Sequence, residues 1–299
     1  MVVRKLPKTL TNRTKFSYYF MNHFRQFTFK KFGCIDFYHD FSSQMEELDV
    51  QNFIKIVFVK AGGHAIIDFQ AYHLQQDAFF FINVGQYYWL DNDCSGSLLY
   101  YNRDFYCVEI HDKEVACDGI LFHNVYEVPV VLMTVKDSHA LQHILQEIKI
   151  EVILDDTTIE EMLRILLKQI IIKCTRIWKQ EHQMAGEEAK PEMEFSRTFS
   201  QLVERHYAHH HTVAEYAELL HITPKALNKR ITRDHNLTPN DIIKNRIILE
   251  VKRLLAHTTM SIKEISHELG YDDTSYFTRL FTKQVTLSPQ NFRNQYLKV

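Results

Sequence analysis

The run SIKEISHELGYDDTSYFTRLFTKQVTLSP, residues 261–289, decides how the last third of the chain folds. Ser261 and Glu264 form a capping box: the hydroxyl accepts from the third amide of a helix, and the carboxylate reaches back to the cap. A short helix over 262–269 then meets the turn Gly270-Tyr271. Asp272 is placed to cap a second helix through about Lys283. Ser288-Pro289 opens a third helix, with Pro where its missing N–H is of no consequence. Helix, tight turn and second helix outline a helix-turn-helix unit.

The same outline stands 49 to 50 residues earlier. Thr212 and Glu215 repeat the capping box at an offset of 49. Beyond the turn the offset is 50: Ile231-Thr232 matches Phe281-Thr282, and Leu237-Thr238-Pro239 matches Leu287-Ser288-Pro289. In this copy a helix over 213–220 precedes the turn, and Thr223 caps a helix through about Arg233. A helix over 239–255 joins the copies. At about 1.5 Å per residue it is roughly 25 Å long, a spacer on the scale of successive major grooves.

SIKEISHELGY (261–271), SYFTRLF (275–281) and LSP (287–289) resemble the signature of the AraC/XylS family of bacterial transcription regulators. Ala217, Leu227 and Leu237-Thr238-Pro239 resemble that family's weaker first unit. The resemblance covers about residues 195–299. It implies a one-component regulator that binds double-stranded promoter DNA through two tandem recognition helices, with RNA polymerase as a further partner. Two positions depart from the pattern: Ser266 stands where the family has Ala, and Thr286 where it has Gly. Asn236, the equivalent in the first copy, accepts left-handed backbone, whereas Thr does so poorly. The second turn is therefore expected to be strained or built differently.

A recognition helix turns its N-terminal half to base edges while its flanks hold phosphate. In the first copy Ala226, Leu227 and Ile231 pattern as the inner face, which leaves Lys225, Asn228 and Lys229 for bases. In the second, Tyr276, Phe277, Leu280 and Phe281 include the packed side, which leaves Thr274, Ser275, Thr278 and Arg279. Asn pairs bidentately with adenine, and Lys or Arg with guanine. The competing role for Arg279 is an ion pair with Asp272 or Asp273. Arg233, Arg246 and Lys283 are the phosphate candidates, Arg246 alternatively bridging the two units internally.

Upstream, residues 183–194 (QMAGEEAKPEME) are polar and broken by Gly186 and Pro191, as in a linker. Before them, Leu141, Ile144, Leu145 and Ile148 repeat with a helical period. A longer helix over 158–183 carries two stripes, Ile159, Leu163, Leu166 and Ile170 beside Met162, Leu167, Ile171 and Cys174. Two stripes fit one surface on the β-rich part and one on a second copy of the chain; the alternative is one wide stripe buried within the monomer. Up to Met133 the pattern is of short strands, at 53–60, 64–69, 78–84, 97–101, 106–110 and 129–135. That region holds 27 of the 38 aromatics, so its interior is expected to be lined with Phe and Tyr.

Charge follows the same division. Residues 195–299 hold 15 Lys and Arg against 10 Asp and Glu, and the rest of the chain 20 against 27. A basic module on an acidic partner is the asymmetry expected when one part meets phosphate, though so small an excess is also ordinary solvated surface. The five cysteines show no metal-ligand spacing, and no apolar segment is long enough to span a bilayer. A cytoplasmic protein with no membrane partner is expected. His209-His210-His211 is a loop before a cap, since three consecutive residues cannot all face one ion. His64 and His73 lack the HxH spacing of a metal-dependent cupin, while Asp68, Gln86 and Tyr72 are candidates to line a pocket.

The expected fold is α+β multidomain. A β-rich cupin-like sensor domain over 1–136 is followed by a helical dimerisation segment over 137–183. A linker over 184–194 then leads to an all-α domain of two helix-turn-helix units over 195–299. The expected function is a DNA-binding transcription regulator, homodimeric and controlled by a small-molecule effector, with no catalytic residue, metal or cofactor. The alternative is a cupin-like enzyme carrying a DNA-binding tail.

Overall fold

The computed structural model describes residues 23–38, 50–107, 121–122, 129–182, 191–235 and 237–297. Alternating apolar residues build the first half into two antiparallel sheets. The larger, ordered β1-β2-β8-β3-β6-β9, comprises β1 (His23–Phe27), β2 (Lys30–Tyr38), β3 (Ile54–Val59), β6 (Ala78–Ile82), β8 (Ser95–Tyr101) and β9 (Val130–Leu132). The smaller, ordered β5-β4-β7, comprises β4 (His64–Ile67), β5 (Gln70–His73) and β7 (Tyr88–Leu90). Central β3 is buried along its whole length, and its side chains divide by parity. Val57 and Val59 share a core with Ala65 and Ile67 of the small sheet. Ile54, Ile56 and Phe58 face the other way.

That second face is covered by helices α1 (Val135–Glu151) and α2 (Ile159–Glu181). The two stripes expected on α2 are one wide stripe: Leu163, Leu167, Ile170, Ile171 and Cys174 are all fully buried within the monomer. Only Met162 of the second stripe is exposed. The expectation that this stripe waits for another copy is therefore corrected, because the sheet and α1 already cover it. Each buried Leu or Ile contributes about 1.5–3 kcal/mol by leaving water, so α1 and α2 share one core with the sheet.

Two strand expectations also change. The run 64–69 does not continue as one strand; it turns back after Ile67, with Asp68 and Phe69 as the two-residue loop before β5. In the expected strand at 106–110, Tyr106 and Cys107 are irregular, and 108–110 lie outside the described residues.

The second half is helical: α3 (Pro191–His206), α4 (Val213–Leu219), α5 (Pro224–His235), α6 (Pro239–His257), α7 (Ile262–Glu268), α8 (Thr274–Val285) and α9 (Pro289–Tyr296). Its core joins Phe199, Leu227, Ile231, Ile243, Ile247, Val251, Phe277 and Phe281. Helix α3 starts at Pro191, so the last four residues of the expected linker are helical. Residues 184–190 lie outside the described residues, as does Asn236.

Thr286 occupies the left-handed conformation, φ 65° and ψ 0°, at the end of α8. The helix thus closes as it would with Gly, at a steric cost of roughly 1–2 kcal/mol for a residue with a Cβ. Thr286→Gly is expected to stabilise the helical domain by about 1 kcal/mol, measured as a higher urea midpoint. A lower midpoint would show that the Thr side chain makes contacts worth more than the strain.

Candidate nucleic-acid interface

Each unit is set by its caps. The capping boxes at Thr212/Glu215 and Ser261/Glu264 are both complete, with side chain and backbone bonds in each direction. A third, Thr238/Asp241, opens α6 behind Pro239. The cap of α8 is Asp273 rather than Asp272; its Oδ1 accepts from the amides of Ser275 at 2.8 Å and Tyr276 at 3.1 Å. Between the units, His211 stacks on Tyr271 with ring centres 4.3 Å apart. Gly270 makes this junction possible: it has φ +71°, and a Cβ there would stand 2.7 Å from the Ala208 carbonyl oxygen. Two of the three consecutive histidines thus pack at the joint, His210 lying beside Tyr216 and His206, while His209 is exposed. Among the described residues no group of three His, Cys, Asp or Glu is arranged for a metal ion.

The second helices of the units, α5 and α8, bury matching residues, Leu227 and Ile231 in one and Phe277 and Phe281 in the other. Lys225 and Lys229 project from α5, and Ser275, Arg279 and Lys283 from α8, all exposed. Arg233 is exposed at the end of α5. Arg279 forms no ion pair with Asp272 or Asp273 among the described residues. Thr274 and Thr278 are half-buried. Asn228 is half-buried too, and its amide donates to the Pro224 carbonyl at 2.9 Å, a bond that reading adenine would have to break.

Two expected placements are corrected. Arg246 is only 5% exposed, and its fork holds Glu204 at 2.6 and 2.9 Å and Glu250 at 3.0 Å. It bridges α3 and α6 internally and is not presented to phosphate. Tyr276, expected among the packing residues, is 50% exposed in the first turn of α8. At 100° per residue it stands off the stripe of Phe277 and Phe281, a rotation visible on a helical wheel. It adds an aromatic ring to the outward face.

Helix α6 links the units. Its 19 residues make a rod of roughly 28 Å at about 1.5 Å per residue.

A family model described as a helix-turn-helix domain matches residues 216–295. Residues 216–295 are a helix-turn-helix domain. The chain is 29% identical over 94 residues to an uncharacterized HTH-type transcriptional regulator, YijO, of Escherichia coli (strain K12), covering 31% of this chain and 33% of that one. It is 24% identical over 91 residues to the HTH-type transcriptional activator RhaS of Enterobacter sp. (strain 638), covering 30% and 33%. The chain thus spans about a third of the length of these relatives. Among solved structures, ToxT from Vibrio cholerae O395 is similar over 83% of this chain and 91% of its own, at 15% identity and a TM-score of 0.43.

Proposed function

We propose that the chain is a sequence-specific DNA-binding transcription regulator, cytoplasmic and not an enzyme, that grips promoter DNA with α5 and α8. One observation carries this reading: two equivalent helices, joined by one rigid helix, bury matching apolar pairs and leave Lys225, Lys229, Ser275 and Arg279 exposed. Lys225, Lys229 and Arg279 are the base readers on this reading, with Asn228, Thr274, Ser275 and Thr278 beside them. Arg233 and Lys283 hold phosphate. The β-rich domain with α1 and α2 is the sensor. Self-association, a small-molecule effector and RNA polymerase as partner are carried by the family likeness. Among the described residues no helix is long and apolar enough to cross a membrane.

The test is capture of genomic fragments by the purified full chain, followed by titration of the recovered sequence at several salt concentrations. Recovered fragments should share a motif and bind on the order of a thousandfold or more tighter than random DNA. The log of affinity should fall with log salt by about 0.9 for each phosphate neutralised. Binding that ignores both sequence and salt would overturn the proposal.

A further inference from the structure

The tip of the β4–β5 hairpin is built from residues that a hairpin does not choose for itself. Ile67 pairs with Gln70, leaving Asp68-Phe69 as the loop, and both loop residues have positive φ, 48° and 67°. That is the backbone sense of a type I′ turn, which Asn-Gly and Asp-Gly adopt readily and a phenylalanine adopts only under constraint.

The constraint comes from the helical domain. The Asp68 side chain is 2% exposed. Its two oxygens accept from Arg253 of α6, at 3.0 Å from Nε and 2.7 Å from Nη2. The Gln86 amide and the Tyr87 backbone N–H hold the same carboxylate, at 2.5 and 3.2 Å. Asp68 and Gln86 therefore do meet, as the seat for an arginine rather than the wall of a pocket. Phe69 stacks on Tyr87 at 4.5 Å and stands edge-on to Phe292 and Tyr296 of α9, at 5.1 and 5.2 Å. Phe292 in turn packs edge-on against Phe281 of α8, at 5.7 Å. A continuous line of rings thus runs from the hairpin tip to the second recognition helix.

We infer that Asp68-Phe69 is an interdomain latch, by which the β-rich domain grips α6 and α9 and sets the position of α8. Lys225, Lys229, Ser275 and Arg279 stay exposed with the latch closed, so it positions the DNA-facing surface and does not cover it. The chemistry suits a contact that opens and closes. Asp68 and Arg253 are each well hydrated when apart, so the desolvated pair offsets that loss only while its two-bonded geometry is intact. A ligand or partner that favours one state of the hairpin then shifts the equilibrium of the whole.

Two variants of the full chain test the latch. Phe69→Gly installs Asp-Gly, the sequence that a type I′ turn favours, so the hairpin is relieved while its grip on α9 is lost. Arg253→Met keeps the stem and removes the fork. The wild type should unfold in urea as one unit, monitored by hydrogen exchange in β4 and α9 together. In either variant α9 should open first, with β4 as protected as before. Operator affinity should fall roughly tenfold, within the 5–150-fold span of ordinary coupling, and the slope against salt should not change.

The affinity measurement rests on the proposed DNA-binding function; the unfolding measurement does not. A wild type that binds no DNA would sink that function and leave the latch to be decided by exchange. A wild type whose halves already open separately, or variants that still unfold as one unit, would overturn the latch. Separated opening with unaltered operator affinity would overturn its positioning role.

Discussion

Replacing Arg246 by Met is expected to destabilise the helical domain by about 3 kcal/mol, the low end for removing one partner of a buried ion pair. The guanidinium lies 3.8 Å from the centre of the Tyr207 ring and is forked onto Glu204. Burial works against its charge, but the hydrogen bonds and negative charge of Glu204, with Glu250, outweigh burial and hold it protonated more firmly than an ordinary arginine. Without it the Glu204 carboxylate loses the fork that holds it, while Glu250 keeps Arg253 at 3.4 Å. Glu204 and Glu250 keep 32% and 19% of their side-chain surface in water, and this screening sets the estimate at the low end. Adding Glu204→Leu to Arg246→Met should recover much of the loss, because an apolar pair of similar volume needs no desolvation. Urea unfolding of the two variants gives both numbers. A loss under about 1 kcal/mol in the single variant would show the cluster to behave as a surface pair.

Arg279→Ala should weaken binding to the captured sequence by ~1–3 kcal/mol, the discrimination supplied by one bidentate contact with guanine. The preference lost should be confined to one base position. Lys283→Ala, a phosphate contact, should weaken specific and random DNA alike and flatten the salt dependence by about one unit of slope. The two side chains are exposed on the same helix, four residues apart, so any general damage to α8 would affect both. Their divergence over operator variants and salt is therefore the signal. Equal weakening for every sequence would remove Arg279 from the base readers. No effect from either would take α8 off the DNA and leave recognition to α5.

What was legible in the sequence was written in short-range chemistry. Capping boxes, Pro at the first helical position and the 49–50-residue repeat act within one turn of chain, and the helices of both units fall where these signals put them. The exposed Lys225, Lys229, Ser275 and Arg279 followed from helical period alone. What was missed depends on distant partners. The β4–β5 turn has no Gly or Asn to announce it, because Phe69 is chosen by the rings of Tyr87, Phe292 and Tyr296 rather than by the turn. Strand β2, KKFGCIDFY, hides its period behind lysines and an internal Gly. Arg246 has the charge of a phosphate ligand, and only the approach of Glu204, 42 residues away in sequence, turns it inward. The second stripe of α2 was visible as apolar, but which surface would bury it was not.

The burial of that stripe also sets the order of events during synthesis. The outer face of the six-stranded sheet, with Ile56, Phe58, Phe79, Leu99 and Val131, is covered by residues as late in the chain as Trp178. Ribosomes add about 5–20 residues per second, so roughly 2–9 s separate the last strand from the end of α2, and until then this face is only partly covered, by α1 and earlier residues. A nascent chain in that interval displays aromatic and aliphatic surface of the kind that makes unfinished chains prone to aggregate. Silent codon changes that slow translation across 135–180 would lengthen the exposure without altering one atom of the finished protein.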